Sequence, residues 1–170
     1  MMGHYYCHPV VDVTWYDATM FSEWVGASLP TVPQWEYGAR GPEGRKYPWG
    51  YREPTRQLAN FDGKLRRTTP VGAYPEGASW CGALDMVGNV DEWCSDRFGP
   101  YESTQTTSPT GPVIGSDRSV RGGSWLIEAG GLRAADRLGP GPEDRFRDIG
   151  FRVAHNAWAA DSNSISDESD

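Results

Sequence analysis

The chain has no apolar run of membrane-spanning length, and nothing at its start reads as a secretory signal, so neither membrane insertion nor an export address is expected and localisation stays open. It has only two lysines, Lys46 and Lys64, and a net charge of −7, which argues against nucleic acid as a partner. Cysteine is scarce and odd in number. Cys7, Cys81 and Cys94 have neither metal-ligand nor redox-motif spacing, which favours separate thiols in a reducing compartment over a Cys81–Cys94 bridge. Also absent are a glycine-rich phosphate loop, a nucleophile elbow, a zinc motif and a paired-carboxylate constellation. Much tryptophan and glycine (8 and 21 residues) beside so little lysine points instead to a loop-rich fold held by aromatic clusters rather than a helical bundle.

Two helices are legible. The first spans Thr14 to Gly26, with Thr14 or Asp12 as cap and Gly26 as stop; Ala18, Phe21, Trp24 and Val25 recur at helical spacing and predict its apolar face. The second lies within Leu29 to Arg40. Thr31 followed by Gln34 fits a capping box, Pro33 suits the first turn, and Trp35 and Ala39 are spaced to face the core. Strand character is read at Pro9–Val13, Pro70–Tyr74, Met86–Val87, Val90–Cys94, Ser119–Trp125 and Ile149–Ala154. His4 and His8 are four apart, but Pro9 and the β-branched run beside them disfavour the helix that would make them joint metal ligands. Pattern alone therefore gives an α+β domain with many loops over residues 1–154. Residues 155–170, rich in Ser and Asp, are expected to be a flexible tail.

The segment from Arg121 to Val153 organises the rest. Its ends, Arg121-Gly122-Gly123-Ser124-Trp125 and Gly150-Phe151-Arg152-Val153, read as buried strands. Its middle, interrupted by Gly130, Gly131, Gly139, Pro140, Gly141 and Pro142, cannot be one helix or strand and is expected to be a surface segment pinned at both ends, where recognition is commonly placed. Trp93 and Trp125 are expected in the core, and Arg133, Arg137 and Arg152 as pins that bond backbone carbonyls and carboxylates.

The ordered landmarks Trp15-Tyr16-Asp17-Ala18, Leu29-Pro30-Thr31, Gln34-Trp35-Glu36-Tyr37, Ala39-Arg40-Gly41, Pro48-Trp49-Gly50, Ala59-Asn60, Asp85-Met86-Val87-Gly88-Asn89-Val90, Glu92-Trp93, Arg121 to Trp125 and Gly150 to Val153 resemble the formylglycine-generating-enzyme (sulfatase-modifying factor) family. The resemblance implies a compact C-type lectin fold, with two helices packed on short antiparallel strands. In the oxidase members of that family two cysteines after the Gly-Gly-Ser motif bind copper. Leu126 to Arg133 contains no cysteine, so no catalytic residue is assigned and the expectation is a protein that is not an enzyme. Sulfoxide-synthase relatives add a histidine-rich iron domain, for which the chain leaves no room.

The same segment is also similar to the variable proteins of diversity-generating retroelements, in which fixed Arg, Ala and Pro positions bracket a hypervariable stretch. That resemblance implies a display protein whose segment 121–153 varies its binding specificity. The ligand surface would be Leu126, Ile127, Glu128, Gly131, Asp136, Leu138, Pro140, Gly141, Asp144, Phe146, Arg147 and Asp148, and the partner a protein or a cell-surface ligand. The alternative is a non-diversified relative, either an enzyme of unknown reaction or a catalytically silent subunit. The family also implies a structural calcium site at Asp85, Gly88, Val90 and Glu92, with a second set at Asn60 and Phe61. Asp91 stands where family members usually carry an aromatic or other uncharged residue.

Overall fold

The computed structural model describes residues 7–100 and 111–155; His4 and nearly all of the expected tail at 155–170 lie outside the described residues. Helix α1 (Trp15–Trp24) starts at a complete capping box. Thr14 accepts from the Asp17 N–H, and the Asp17 carboxylate accepts from the Thr14 N–H. Val25 caps its C-terminal end, and the chain leaves through Gly26 at φ 73°. Helix α2 (Val32–Arg40) has the expected Thr31–Gln34 box and buries Val32, Trp35 and Ala39.

The apolar face expected for α1 is a correction. Ala18 and Ser22 are the buried residues, while Phe21, Trp24 and Val25 are exposed, Trp24 by 80%. Ser22 can be buried because its hydroxyl donates to the Ala18 carbonyl at 2.7 Å, which leaves no polar group unpaired. Phe21 instead covers the edge of Phe151, with ring centroids 5.6 Å apart.

Four strands form one sheet in the order β3-β2-β1-β4. Strand β1 (Asp91–Arg97) is central; it pairs antiparallel with β2 (Arg118–Arg121) and parallel with β4 (Ile149–Phe151). Strand β3 (Arg137–Leu138) pairs antiparallel with β2. The sheet is therefore mixed rather than wholly antiparallel, and the middle of the 121–153 segment supplies an edge strand that its sequence did not suggest. The strand readings at Pro9–Val13, Pro70–Tyr74 and Met86–Val87 are not borne out; these stretches are bends, turns and irregular backbone. Their hydrogen bonds are single and local to loops, such as the Asp12 N–H to the Phe146 carbonyl and the Val71 N–H to the Cys7 carbonyl.

Helix α2 docks on β1 through Asp96, whose carboxylate accepts the Val32 N–H at 2.6 Å. One core cluster joins Val32, Trp35, Ala39 and Tyr47 to Met86, Val87, Cys94, Leu132 and Ala134. A second joins Ala18 and Leu29 to Trp93, Val120 and Ile149. Trp93 and Trp125 are core residues, as expected. All three cysteines are free, and Cys94 is buried. No helix among the described residues is long and apolar enough to cross a membrane.

Candidate functional site

Strand β1 begins at Asp91, which pairs in register with Ile149 of β4, and the Asp91 N–H bonds the Asp148 carbonyl at 2.9 Å. Just beyond β2 the chain turns through Gly122 and Gly123, both at positive φ. A Cβ on Gly123 would come within 3.1 Å of the Gly131 carbonyl oxygen, so only glycine lets these backbones meet unstrained. That turn aims the Gly123 N–H at Asp91, whose Oδ1 accepts it at 2.9 Å. Ser124 donates its hydroxyl to Asp148 Oδ2 at 2.7 Å. Two carboxyl groups are thus held by the turn at Gly122 to Ser124.

Above them lie two adjoining cavities of about 280 and 340 Å³ that share Asp91, Ile127 and Leu138. The first continues past Gly123, Gly131, Arg133, Asp136 and Arg137. The second continues past Val120, Pro140, Phe146, Asp148 and Ile149. Together they form one cleft with an acidic floor, apolar on one side at Ile127, Leu138 and Phe146 and charged on the other at Arg133, Asp136 and Arg137.

Burial lifts the Asp91 carboxyl from 3.8 to about 7, against the Gly123 N–H, which stabilises the anion; Asp148 and Glu92 add to the rise. The folded protein therefore holds a proton at Asp91 that the unfolded chain releases near pH 4. The associated stability is fully present below about pH 4 and is lost as pH rises through about 7. Asp91→Asn keeps an acceptor for Gly123 and carries no charge. Relative to the native chain it should gain stability between pH 4 and pH 8, on the order of 2–4 kcal/mol. Urea unfolding of both proteins across that range checks this; a difference that does not change with pH would contradict it.

Of the twelve expected ligand-surface residues, the fold brings Ile127, Gly131, Asp136, Leu138, Pro140, Phe146 and Asp148 to the cleft. Leu126, Glu128, Gly141, Asp144 and Arg147 do not line it. Gly141 and Asp144 close a turn on each other, and Arg147 lies 5.1 Å from the Trp125 ring. Asp91 was noted in the sequence only as a change of local charge. A second acidic residue beside Glu92 at the start of a strand, with a Gly-Gly pair at the end of the neighbouring one, was the signal for a side chain buried at a cleft.

The expected pins hold, by different means. Arg152 grips Glu92 with two nitrogens, at 2.5 and 2.6 Å, and also donates to the carbonyls of Leu84 and Asp85. Arg137 donates to the Gly99 carbonyl, and Arg133 pairs with Asp136 at the surface.

Neither the copper site nor the first calcium set of the family fits the residues present. A copper site needs thiolates after Gly-Gly-Ser, and that stretch has none; burial pushes the Cys94 thiol up, away from the thiolate form. For calcium, Glu92 spends both oxygens on Arg152, and its Oε2 also accepts from Trp35 Nε1 at 2.6 Å. Asp85 accepts the Gly72 N–H at 2.7 Å, and burial raises its pKa. A cation held by Asp85, Gly88, Val90 and Glu92 would also face the Arg152 guanidinium. Among the described residues no group of three or more His, Cys, Asp or Glu could hold a metal ion. Melting curves in a chelator and in millimolar calcium should coincide; a calcium-dependent rise would restore the calcium site.

The two capped helices, the mixed sheet and the loop-built cleft above it define a C-type-lectin-type α+β domain. The sequence profile of the sulfatase-modifying factor enzyme 1-like domain matches residues 2–157, and the chain belongs to that family. It is 40% identical to a hercynine oxygenase of Mycolicibacterium smegmatis over 162 residues, covering 86% of the chain and 37% of that protein. It is also 40% identical to a formylglycine-generating enzyme of Streptomyces coelicolor over 172 residues, covering 88% of the chain and 53% of that protein. The chain thus spans between about a third and about a half of these curated relatives. Among solved structures, Treponema denticola variable protein 1 superposes with a TM-score of 0.72 at 23% identity, covering 86% of this chain and 70% of that one, a likeness of fold. The expectation that the protein is not an enzyme is overturned: relatives at 40% identity over most of the chain are named for enzymatic activities.

Proposed function

We propose that this chain is a non-diversified member of its family and the substrate-holding part of an enzyme that carries out an oxygen-dependent oxidation. The observation that carries this reading is the cleft, where a buried carboxyl group lies at the floor of a space walled by Ile127, Leu138 and Phe146. Such a site binds a small substrate by apolar contact, orients it with few polar groups, and keeps water from the floor. Asp91 supplies a proton-holding group at that floor. The hercynine oxygenase and the formylglycine-generating enzyme, both 40% identical to the chain, support the reaction class.

The test is binding of a panel of small thiols to the purified protein by calorimetry, with Ile127→Trp as the cleft-filling variant. Ile127 is half-buried at the junction of both cavities, so a larger side chain there should abolish binding while leaving the melting temperature nearly unchanged. Binding that survives Ile127→Trp would remove the cleft from this reading, and no binding of any thiol would contradict the substrate-holding role.

A second reading, a ligand surface varied by a retroelement, is favoured by one observation. Leu126, Leu138 and Phe146 are exposed by 40%, 53% and 43% along a single segment. On that reading the segment tolerates substitution, whereas a substrate site does not.

A further inference from the structure

Asp91 is 4% exposed yet lines both cavities. Its Oδ1 is used by the Gly123 N–H, while its Oδ2 accepts no hydrogen bond from any described residue. That second oxygen is open to the cleft, where a bound cation would favour the ionised carboxylate over the proton-holding form. We propose that Asp91 makes the cleft a binding site for a protonated amine carried on an apolar body. This rests on the reading of the cleft as the substrate site and names the chemistry that site selects.

Charge favours a cation over an anion. The nearest carboxylates are Asp148, which also borders the cleft, and Glu92, which is neutralised by Arg152. The arginines at the cleft are already engaged, Arg133 with Asp136 and Arg137 with the Gly99 carbonyl. The floor therefore holds acidic oxygen without a basic partner. Geometry favours an ammonium over a guanidinium. Only one Asp91 oxygen is free, so the two-pronged contact that a planar guanidinium prefers is unavailable, whereas a compact ammonium needs a single acceptor. The walls of Ile127, Leu138 and Phe146 suit an apolar body, and cavities of about 280 and 340 Å³ suit a small molecule.

The experiment is an amide-resolved NMR titration with three probes of one shape: 2-phenylethylamine, 2-phenylethanol and phenylacetate. The amine should shift the Gly123 and Ile127 amides and bind at least about tenfold more tightly than the alcohol, a difference of about 1.4 kcal/mol. Asp91→Asn should erase that preference while melting no lower than the native chain. Should that variant fail to fold, the preference among probes in the native chain decides alone. If the alcohol or phenylacetate binds the cleft as tightly as the amine, or Asp91→Asn keeps the preference, the amine proposal is overturned and the cleft reading stands. If none of the three shifts the cleft amides, the cleft reading fails with it.

Discussion

Arg121→Ala should destabilise the fold by about 3–5 kcal/mol, the cost of emptying a fully buried site and leaving two carbonyls without their donor, while Glu36 keeps its pairing with Arg40. Arg121 has no exposed surface. Its Nη1 donates to the carbonyls of Ala135 and Asp136 at 2.8 and 2.7 Å, and its Nη2 donates to the Glu36 carboxylate at 2.5 Å. The guanidinium carbon lies 5.0 Å from the Trp35 ring centre. One side chain therefore ties β2, helix α2 and the segment just before β3 together, and β3 carries Leu138 of the cleft wall. For a chain of this size the loss corresponds to a fall in melting temperature of roughly 10 °C or more. Arg121→Lys keeps the charge but not the fork, and should recover only part of it. A loss under about 1 kcal/mol by denaturant titration would mean that the segment is held by its own loops and not by Arg121.

Glu92→Ala is expected to cost a similar amount, about 3–5 kcal/mol, for a different reason. Glu92 is 4% exposed and holds both Arg152 and the Trp35 indole N–H. Its loss leaves a guanidinium and an indole without their acceptor, while Arg152 keeps only the carbonyls of Leu84 and Asp85. Glu92→Leu combined with Arg152→Met removes both charges, and should be more stable than either single change, since apolar replacement of a buried pair is close to neutral. If the double variant is instead as unstable as the worse single one, the packing around Glu92 matters more than its charge.

Much of this architecture can be read from local chemistry. Thr14 with Asp17 and Thr31 with Gln34 announce two helix starts because capping is decided within four residues. The α1 face is misread because periodicity counts apolar residues without knowing what they meet. Ser22 is buried through its own hydrogen bond, while Trp24 points outward. The strand readings at Pro9–Val13 and Pro70–Tyr74 follow composition, yet a strand also needs a neighbour, and pairing is settled by distant chain. The calcium set at Asp85, Gly88, Val90 and Glu92 fails for the same reason: Arg152, sixty residues away from Glu92, claims that carboxylate. Asp91 becomes visible as a site residue only when the Gly122-Gly123 turn is laid over it. The expectation of a non-enzymatic display protein drew on the missing cysteines, but their absence excludes one metal site and not every chemistry a related cleft can support.

The most direct test of the functional account is sequencing of this locus across many isolates of one population. A substrate cleft predicts that Ile127, Leu138, Phe146 and Asp148 stay fixed with Asp91, and that substitutions across 126–148 are no denser than elsewhere in the chain. Substitutions crowded into 126–148, changing those cleft positions from isolate to isolate at adenine-bearing template codons, would contradict it and establish a diversified binding surface.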